Sequence, residues 1–169
     1  MKSTYFFTVI FLLLATNCRA QNPIFEKYIG KEYRSLSEFE AFIEYKDYGG
    51  MLIGTDSTGR QFAVEHYKSD AGQIVTFETV RTENHKASYT LLDGIVIDDL
   101  DSNQYVMSGQ CEFDGEYDSY LVVVYEQDEQ DVEYFTNILK AWRANPKTNR
   151  FDAVDPTKIK CINEGYDMY

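Results

Sequence analysis

Apolar and polar residues alternate along most of the chain from residue 51 to residue 126, and this two-residue period predicts β-strands. The expected strands are MLIGT and QFAVEHY around the turn sequence DSTG, followed by QIVTFETVRT and ASYTLLDGIVIDDL, in which Gly94 indicates a bulge or a close backbone approach. Two later runs, QYVMSGQCEF and EYDSYLVVVYEQ, are joined by Asp114-Gly115, a dipeptide that favours a tight hairpin. The run from Tyr120 to Tyr125 is apolar throughout, which is typical of a central strand buried on both faces.

Two segments have the longer apolar period of a helix. A helix is predicted from Leu36 to Asp47, with Ser35 and Glu38 at capping-box spacing before it and Gly49-Gly50 after it. A second helix is predicted from Asp128 to Ala144. The apolar stripe of this second helix would consist of Val132, Phe135, Ile138, Leu139 and Trp142.

The remaining elements are short. Asn22–Ile29 is compatible with a helical turn that has Pro23 near its start, and a last strand is expected around Ile159–Ile162. The count predicts an α+β fold, a single domain with a mostly antiparallel sheet of five to seven strands and two or three flanking helices. The domain would span residues 21–169.

The first twenty residues have the layout of a secretory signal peptide, with Lys2, an apolar run of about eleven residues and Ala20 before the expected cleavage site. The protein is therefore expected to be exported, to a periplasmic or extracellular location. One alternative is a short membrane anchor, and another is a lipid anchor through Cys18, although Asn17 replaces the small residue that should precede a lipidated cysteine. No later segment is apolar enough to predict a transmembrane helix in the mature chain.

The chain is acidic, with 28 acidic and 16 basic residues and a net charge of −12. Since two of the bases, Lys2 and Arg19, lie in the expected signal peptide, cleavage would change the net charge to −14. Such a surface repels nucleic acid, which is therefore not an expected partner, and attracts a basic protein. The alternative is that the acidity only keeps an exported protein soluble.

Two cysteines, Cys111 and Cys161, remain after cleavage. An even pair in an exported protein predicts one disulfide, which would fix the C-terminal strand to the strand that carries Cys111. The alternative is a pair of buried, reduced thiols.

The sequence predicts no catalytic, cofactor-binding or metal site. His66 and His85 are the only histidines, and neither belongs to a motif for nucleophilic catalysis or zinc binding. Asp99 and Asp101 begin a calcium-loop pattern, but its glycine and final glutamate are missing, so a weak calcium site stays an alternative.

An acidic surface that carries tyrosines is the most distinctive functional feature. The residues expected to bind a partner are Glu126, Asp128, Glu129, Tyr117 and Tyr125. The predicted function is an exported acidic binding protein without catalytic activity, of the kind that inhibits a basic toxin or hydrolase or confers immunity to it. The alternatives are an exported hydrolase that uses paired carboxylates and a structural module of the cell envelope.

We expect the exported protein to begin at Gln21, because Ala20 completes the cleavage pattern. Mass spectrometry of the intact exported protein measures this directly. A diacylglyceryl group on an N-terminal Cys18 would contradict it and identify a lipoprotein.

Overall fold

β-Strands dominate the computed structural model, which describes residues 22–127 and 132–166. Within these ranges thirteen strands form three antiparallel sheets, and the only α-helix is α1 (Pro23–Glu26). The predicted α+β fold with two or three flanking helices is therefore wrong, and the chain is nearly all β. The expected turn at Asn22–Ile29 is confirmed, since Asn22 caps α1 by accepting a hydrogen bond from the Ile24 amide at 3.2 Å.

Each sheet has a simple strand order. Sheet A has the order β1-β5-β4-β3-β2, where β1 is Glu32–Tyr33, β2 is Lys46–Thr55, β3 is Gln61–Ser69, β4 is Gly72–Glu83 and β5 is Lys86–Ile97. Sheet B has the order β12-β11-β9-β6, with β6 Gln104–Ser108, β9 Leu121–Glu126, β11 Ile138–Asn145 and β12 Arg150–Ala153. Sheet C has the order β10-β13-β7-β8, with β7 Cys111–Phe113, β8 Glu116–Asp118, β10 Tyr134–Phe135 and β13 Ile159–Ile162.

The chain forms four layers, and a hydrophobic core lies between each layer and the next. The first core lies between residues 24–45, called here the N-terminal segment, and one face of sheet A. The second lies between the other face of sheet A and sheet B, and the third between sheet B and sheet C. Sheets A and B are therefore covered on both faces, while sheet C has a covered face and an outer face.

The central strand of sheet B confirms the prediction made for Tyr120–Tyr125. β9 lies between β11 and β6, and its side chains alternate between two cores. Val122 and Val124 face sheet A, whereas Leu121, Val123 and Tyr125 face sheet C. An unbroken apolar run is what a strand with two covered faces requires.

A single bent hairpin connects sheets B and C. Its tip is the predicted Asp114-Gly115 turn, in which both residues have positive φ angles, 52° and 85°, as a type I′ turn requires. Close to the tip β7 pairs with β8 in sheet C, and farther away β6 pairs with β9 in sheet B. The pairing shifts by one residue between these parts, at Gly109, so each predicted long strand is divided between two sheets.

The predicted helix from Leu36 to Asp47 is replaced by two 3₁₀ helices, Leu36–Glu38 and Glu40–Phe42, followed by the start of β2. A 3₁₀ helix has three residues per turn, so the apolar residues at intervals of three still share one face. The Glu38 carboxylate accepts a hydrogen bond from the Ser35 amide at 3.1 Å, which is the back-bond of the predicted capping box. The predicted α-helix is therefore wrong, and the apolar spacing that suggested it arises from two short 3₁₀ helices.

The predicted helix from Asp128 to Ala144 is also wrong. Residues 128–131 lie outside the described ranges, and β10 and β11 account for most of the remainder. A bulge between Ile138 and Lys140 and the burial of β11 on both faces produce apolar intervals of three and four residues, which imitate a helix. The side chains buried toward sheet C are Ile138 and Ala141, and those directed toward sheet A are Trp142 and Ala144.

The predicted disulfide between Cys111 and Cys161 is confirmed. The two residues are direct partners in the pairing of β7 with β13, their Cα atoms are 4.0 Å apart, and both side chains are fully buried in the third core. The bond therefore fixes the last strand to the middle of sheet C. A disulfide is compatible with export.

None of the helices within the described ranges has the length and apolar content that a membrane crossing requires.

Replacing both cysteines with alanine should lower the free energy of unfolding by up to about 4 kcal/mol, because the bond closes a loop of 50 residues in the unfolded chain. Chemical denaturation of the oxidised wild type and the double variant measures the difference. Equal midpoints for the two proteins would contradict a stabilising role.

Candidate functional site

A group of buried polar side chains interrupts the first core. The face of sheet A that packs against the N-terminal segment is mostly apolar, but β3 and β4 place Glu65, Thr76 and Glu78 on it. Thr76 and Glu78 are fully buried, with 0% of their surface exposed. These three residues are called here the carboxyl cluster.

Strand register brings the carboxyl cluster together. Thr76 and Glu78 are two residues apart on β4 and therefore share a face, and Glu65 is the direct partner of Thr76 on β3. On the other side of β3, Gly50 of β2 pairs with Glu65, and the Glu65 carboxylate occupies the position where a Cβ atom would stand on Gly50. The missing side chain at Gly50 thus makes room for a carboxylate beside the strand.

Glu78 is the most deeply buried acid of the cluster. The Tyr33 hydroxyl, which comes from β1, donates a hydrogen bond to its Oε2 atom. Burial raises the pKa of Glu78 to about 8, against the opposing effect of the Tyr33 hydrogen bond, and the neighbouring Glu65 contributes to the rise. Glu78 therefore carries a proton through much of the neutral pH range.

Glu65 is half-buried, and Asp47 lies on the exposed start of β2. Burial and the Asp47 charge raise the pKa of Glu65 to about 7. No lysine, arginine or histidine is among the groups that shift the pKa of Glu65 or Glu78, and neither glutamate belongs to an ion pair of the described residues. Three acidic groups thus lead from the surface into the core without a compensating cation.

Two oxygen atoms of the cluster have no hydrogen-bond partner within the described residues. They are Oε1 of Glu78 and Oγ1 of Thr76. The Thr76 hydroxyl is close enough to lower the pKa of Glu78, although the two groups do not meet hydrogen-bond geometry. Buried polar atoms are nearly always paired. Because the Thr76 hydroxyl and the protonated Glu78 carboxyl each carry an O–H donor, a small side-chain rotation would let these two atoms pair with each other.

Asp93 is also a buried acid, but its hydrogen bonding differs from that of the carboxyl cluster. Asp93 of β5 accepts hydrogen bonds from the amides of Phe151 at 2.8 Å and of Gly94 at 2.9 Å, and so joins sheet A to β12. Burial raises its pKa, but both of its oxygens have partners. Asp93 is explained by the packing of the two sheets, whereas the carboxyl cluster is not.

The carboxyl cluster can hold protons or attract a cation, but it is not an open pair of catalytic carboxylates. A glycosidase needs one acid on each side of an accessible bond. Glu78 is covered by the N-terminal segment and cannot contact a substrate in this conformation. Within the described ranges, no three His, Cys, Asp or Glu side chains are grouped so that they could hold a metal ion.

Three of the five residues predicted to bind a partner, Tyr117, Tyr125 and Glu126, lie in sheets B and C. Tyr117 is 64% exposed, while Tyr125 is 7% exposed and stacks on Phe135, so it offers a partner little surface. The carboxylate of Glu126 accepts hydrogen bonds from Asn103 at 3.1 Å and from Asn137 at 2.9 Å. Asp128 and Glu129 lie outside the described residues.

Tyr117 belongs to the outer face of sheet C. It pairs with Glu112, which pairs with Lys160, and the Lys160 ammonium lies 4.0 Å from the centre of the Tyr134 ring. Ile162, the partner of Tyr134, is partly exposed on the same face. Residues 110–118, 133–135 and 158–166 contain six acidic residues and two lysines. Asp118 lies on the covered face and pairs with Arg143 at 2.7 Å, so the outer face and its margins carry five acids and two lysines.

His66 and the calcium-like segment, two groups considered in the sequence analysis, make contacts that hold the fold together. His66 faces sheet B, where its Nε2 atom lies 2.9 Å from the Ser108 hydroxyl, and burial lowers its pKa to about 4. In the calcium-like segment, the Asp101 carboxylate accepts a hydrogen bond from the Gln104 side chain at 3.1 Å.

The sequence analysis did not identify Glu65 or Glu78 as candidate functional residues. The available signal was a glutamate in the strand QIVTFETV, which contains no other charged residue and is half apolar, so that an unpaired charge there is costly.

Comparison with known proteins gives no match for this chain among family models, curated proteins or solved structures. Function is therefore inferred from the two features above, the carboxyl cluster and the outer face of sheet C.

The carboxyl cluster should make the fold less stable as the pH rises through neutrality. Folded Glu65 and Glu78 hold their protons to about pH 7 and 8, whereas a glutamate without a shift titrates at 4.5, so the folded state binds more protons in between. For Glu78 alone the free energy of unfolding should fall by about 2 kcal/mol between pH 6.5 and pH 8.5. Thermal unfolding measured at these two pH values tests this.

The Glu78→Gln variant should lose less stability over this pH interval than the wild type, because its amide does not titrate. Glu83→Gln, the same substitution at an exposed position of β4, is the matched control and should behave as the wild type. The lowered pKa of His66 has the opposite effect but acts below pH 6.5, outside the interval. Parallel pH profiles for Glu78→Gln and the wild type would contradict the assignment.

Proposed function

We propose that the chain is an exported, acidic binding protein that recognises a basic protein through the outer face of sheet C. The observation that carries this proposal is the exposure of Tyr117 in an acidic setting, on a sheet whose other face is buried. An exported inhibitor or immunity-type protein, in the periplasm or outside the cell, is the form of this function that we favour.

The outer face has the composition of a recognition surface. Tyr117, Tyr134 and Ile162 supply aromatic and aliphatic contact area, and tyrosine is enriched at protein interfaces because it joins a large ring to a polar tip. The Tyr117 hydroxyl donates a hydrogen bond to the Gly109 carbonyl at 2.6 Å, which restrains the ring before any partner arrives. A restrained anchor loses less entropy on binding.

The outer face also has a rigid support. The Cys111–Cys161 disulfide joins the two middle strands of sheet C directly beneath it. The acids on this face and at its margins exceed the lysines five to two, so their field favours approach of a basic protein. Rigid presentation and charge are both properties that a binding protein needs.

The Tyr117→Ala variant should bind a basic partner at least about fivefold more weakly than the wild type, because loss of an aromatic anchor typically costs more than about 1 kcal/mol. Tyr48→Ala is the matched control, since Tyr48 is 65% exposed but lies on β2 of sheet A. The partner is captured from the exported proteins of the source organism on immobilised wild-type protein, purified, and measured against both variants by biolayer interferometry.

A second experiment tests how much the acidic charge contributes to binding. Reversal of Glu126, Asp128 and Glu129 to lysine should slow association more than it changes dissociation, and added salt should slow association of the wild type. The proposal is contradicted if the captured protein is not basic or if Tyr117→Ala and Tyr48→Ala bind it equally well. An affinity that is indifferent to salt and to charge reversal would leave the acidity as an aid to solubility.

A further inference from the structure

We propose that a groove at one end of sheet A binds a small carboxylate that also carries hydroxyl groups, such as a sugar acid. The groove has a volume of about 410 Å³, which lies within the range of pockets that hold small organic molecules. Its lining includes Glu32, Arg60, Thr79, Arg81, Ser88 and Thr90. None of these residues belongs to the outer face of sheet C, so the inference does not depend on the proposed function.

The groove lies where sheet A extends beyond the cover that sheet B provides. Thr79 pairs with Phe62 of β3, and Phe62 belongs to the second core, so Thr79 is on the face directed toward sheet B. Arg81 is two residues beyond Thr79 on β4 and shares this face. Phe62 is fully buried, whereas Thr79 is half-buried and Arg81 is exposed. The last rows of side chains on this face therefore form the floor of an open groove.

Two arginines stand side by side in the groove. Because β3 and β4 are antiparallel and Gln61 pairs with Val80, Arg60 is placed beside Arg81. Like charges at opposite positions of neighbouring strands repel each other. An anion that binds both guanidinium groups removes this repulsion, and the planar fork of a guanidinium matches the two oxygens of a carboxylate.

The hydrogen bonds of the two arginines leave donors for a ligand. The Arg60 Nε atom donates to the Asp56 carboxylate at 3.1 Å and its Nη2 atom to the Pro146 carbonyl at 3.4 Å, while its Nη1 atom donates no hydrogen bond within the described residues. Arg81 is paired with Glu83, but both side chains are more than half exposed, and exposed ion pairs contribute little. A ligand carboxylate therefore meets one restrained guanidinium and one that exchanges its partner at little cost.

Hydroxyl groups continue the groove beside the arginines. Thr79 pairs with Thr90 of β5, and Ser88 lies two residues from Thr90 and shares its face. All three residues are half-buried, and none of their hydroxyls makes a hydrogen bond within the described residues. Since each hydroxyl both donates and accepts, a bond between Thr79 and Thr90 would still leave a donor and further acceptor sites. This wall suits a ligand that has hydroxyl groups of its own.

The order of side chains across the strands gives the ligand an orientation. The arginines stand at β3 and β4, the hydroxyls on β4 and β5, and Glu32 pairs with Thr90 from β1. From β3 to β1 there are three strand spacings, or about 14 Å. The carboxylate of the ligand would lie at the arginines and its hydroxyls would extend toward Glu32, which can accept their hydrogen bonds but repels a second carboxylate. A hydroxylated monocarboxylate therefore fits better than a dicarboxylate.

Titration of the isotope-labelled protein with D-gluconate, followed by NMR, tests the inference. D-Sorbitol has the hydroxyl groups without the carboxylate, and hexanoate has the carboxylate without the hydroxyl groups. Saturable shifts of the amide signals of Thr79, Arg81 and Ser88 are expected with gluconate, and each control compound should bind at least about tenfold more weakly. Equal affinity for gluconate and either control, or no saturable shift in the groove, would overturn the inference.

Variants separate direct contact from the long-range effect of charge. Arg81→Gln should weaken gluconate binding about tenfold or more and keep the thermal midpoint of the wild type, because the Arg81 side chain is 72% exposed. Thr79→Val keeps the side-chain shape and should weaken binding about 2- to 10-fold, through loss of one hydrogen bond. Lys140→Gln removes the same charge as Arg81→Gln from an exposed position of β11, so it is the matched control and should bind as the wild type. If Arg81→Gln and Lys140→Gln weaken binding equally, only the net charge matters and the inference fails.

Discussion

Burial of both faces of sheets A and B is the constraint on which the rest of this fold depends. The five residues from Leu121 to Tyr125 alternate between two cores, so β9 is stable only with a sheet on each side. Sheet A also needs both faces covered, because Phe62 and Val64 are apolar on one face and Tyr67 and Ile74 on the other. The N-terminal segment and sheet C are the covers that meet these demands, which explains why one is rich in aromatic residues and the other needs a disulfide.

The two covers are attached differently. Sheet C consists of strands of two to four residues, which bury little surface individually, and the Cys111–Cys161 bond compensates for this. The N-terminal segment has no such bond and is attached to sheet A by the pairing of β1 with β5, by the hydrogen bond from the Gly30 amide to the Leu91 carbonyl at 2.7 Å, and by the contact between the Tyr33 and Tyr89 rings at 5.8 Å. Its one polar attachment to β4 that we identify is the hydrogen bond from Tyr33 to Glu78. A charge change at Glu78 thus acts on the cover that no disulfide fixes in place.

Strand positions could be predicted from the sequence because a two-residue period is preserved in the hairpins of sheet A and in β9. The two long helices were predicted wrongly, because apolar residues spaced three or four positions apart can have causes other than an α-helix. In residues 36–42 this spacing arises from 3₁₀ turns, and in β11 it arises from a bulge and from burial on both faces. The disulfide was predictable since only two cysteines remain after residue 20, whereas the carboxyl cluster depends on the register of β3 with β4, which a single sequence does not specify.

Acidity has two separate physical roles in this molecule. On the outer face of sheet C the acids are solvated or paired, for example Glu112 with Lys160 at 3.1 Å, so they act at a distance and are screened by salt. In the carboxyl cluster Glu78 is removed from water, Glu65 is half-buried, and neither is ion-paired within the described residues, so their charge depends on pH. Because sheets A and B and the second core separate these regions, a substitution in one should leave the other unchanged within a few tenths of a kcal/mol. The net charge of the sequence combines these two roles in one number, and only the layer order of the fold separates them.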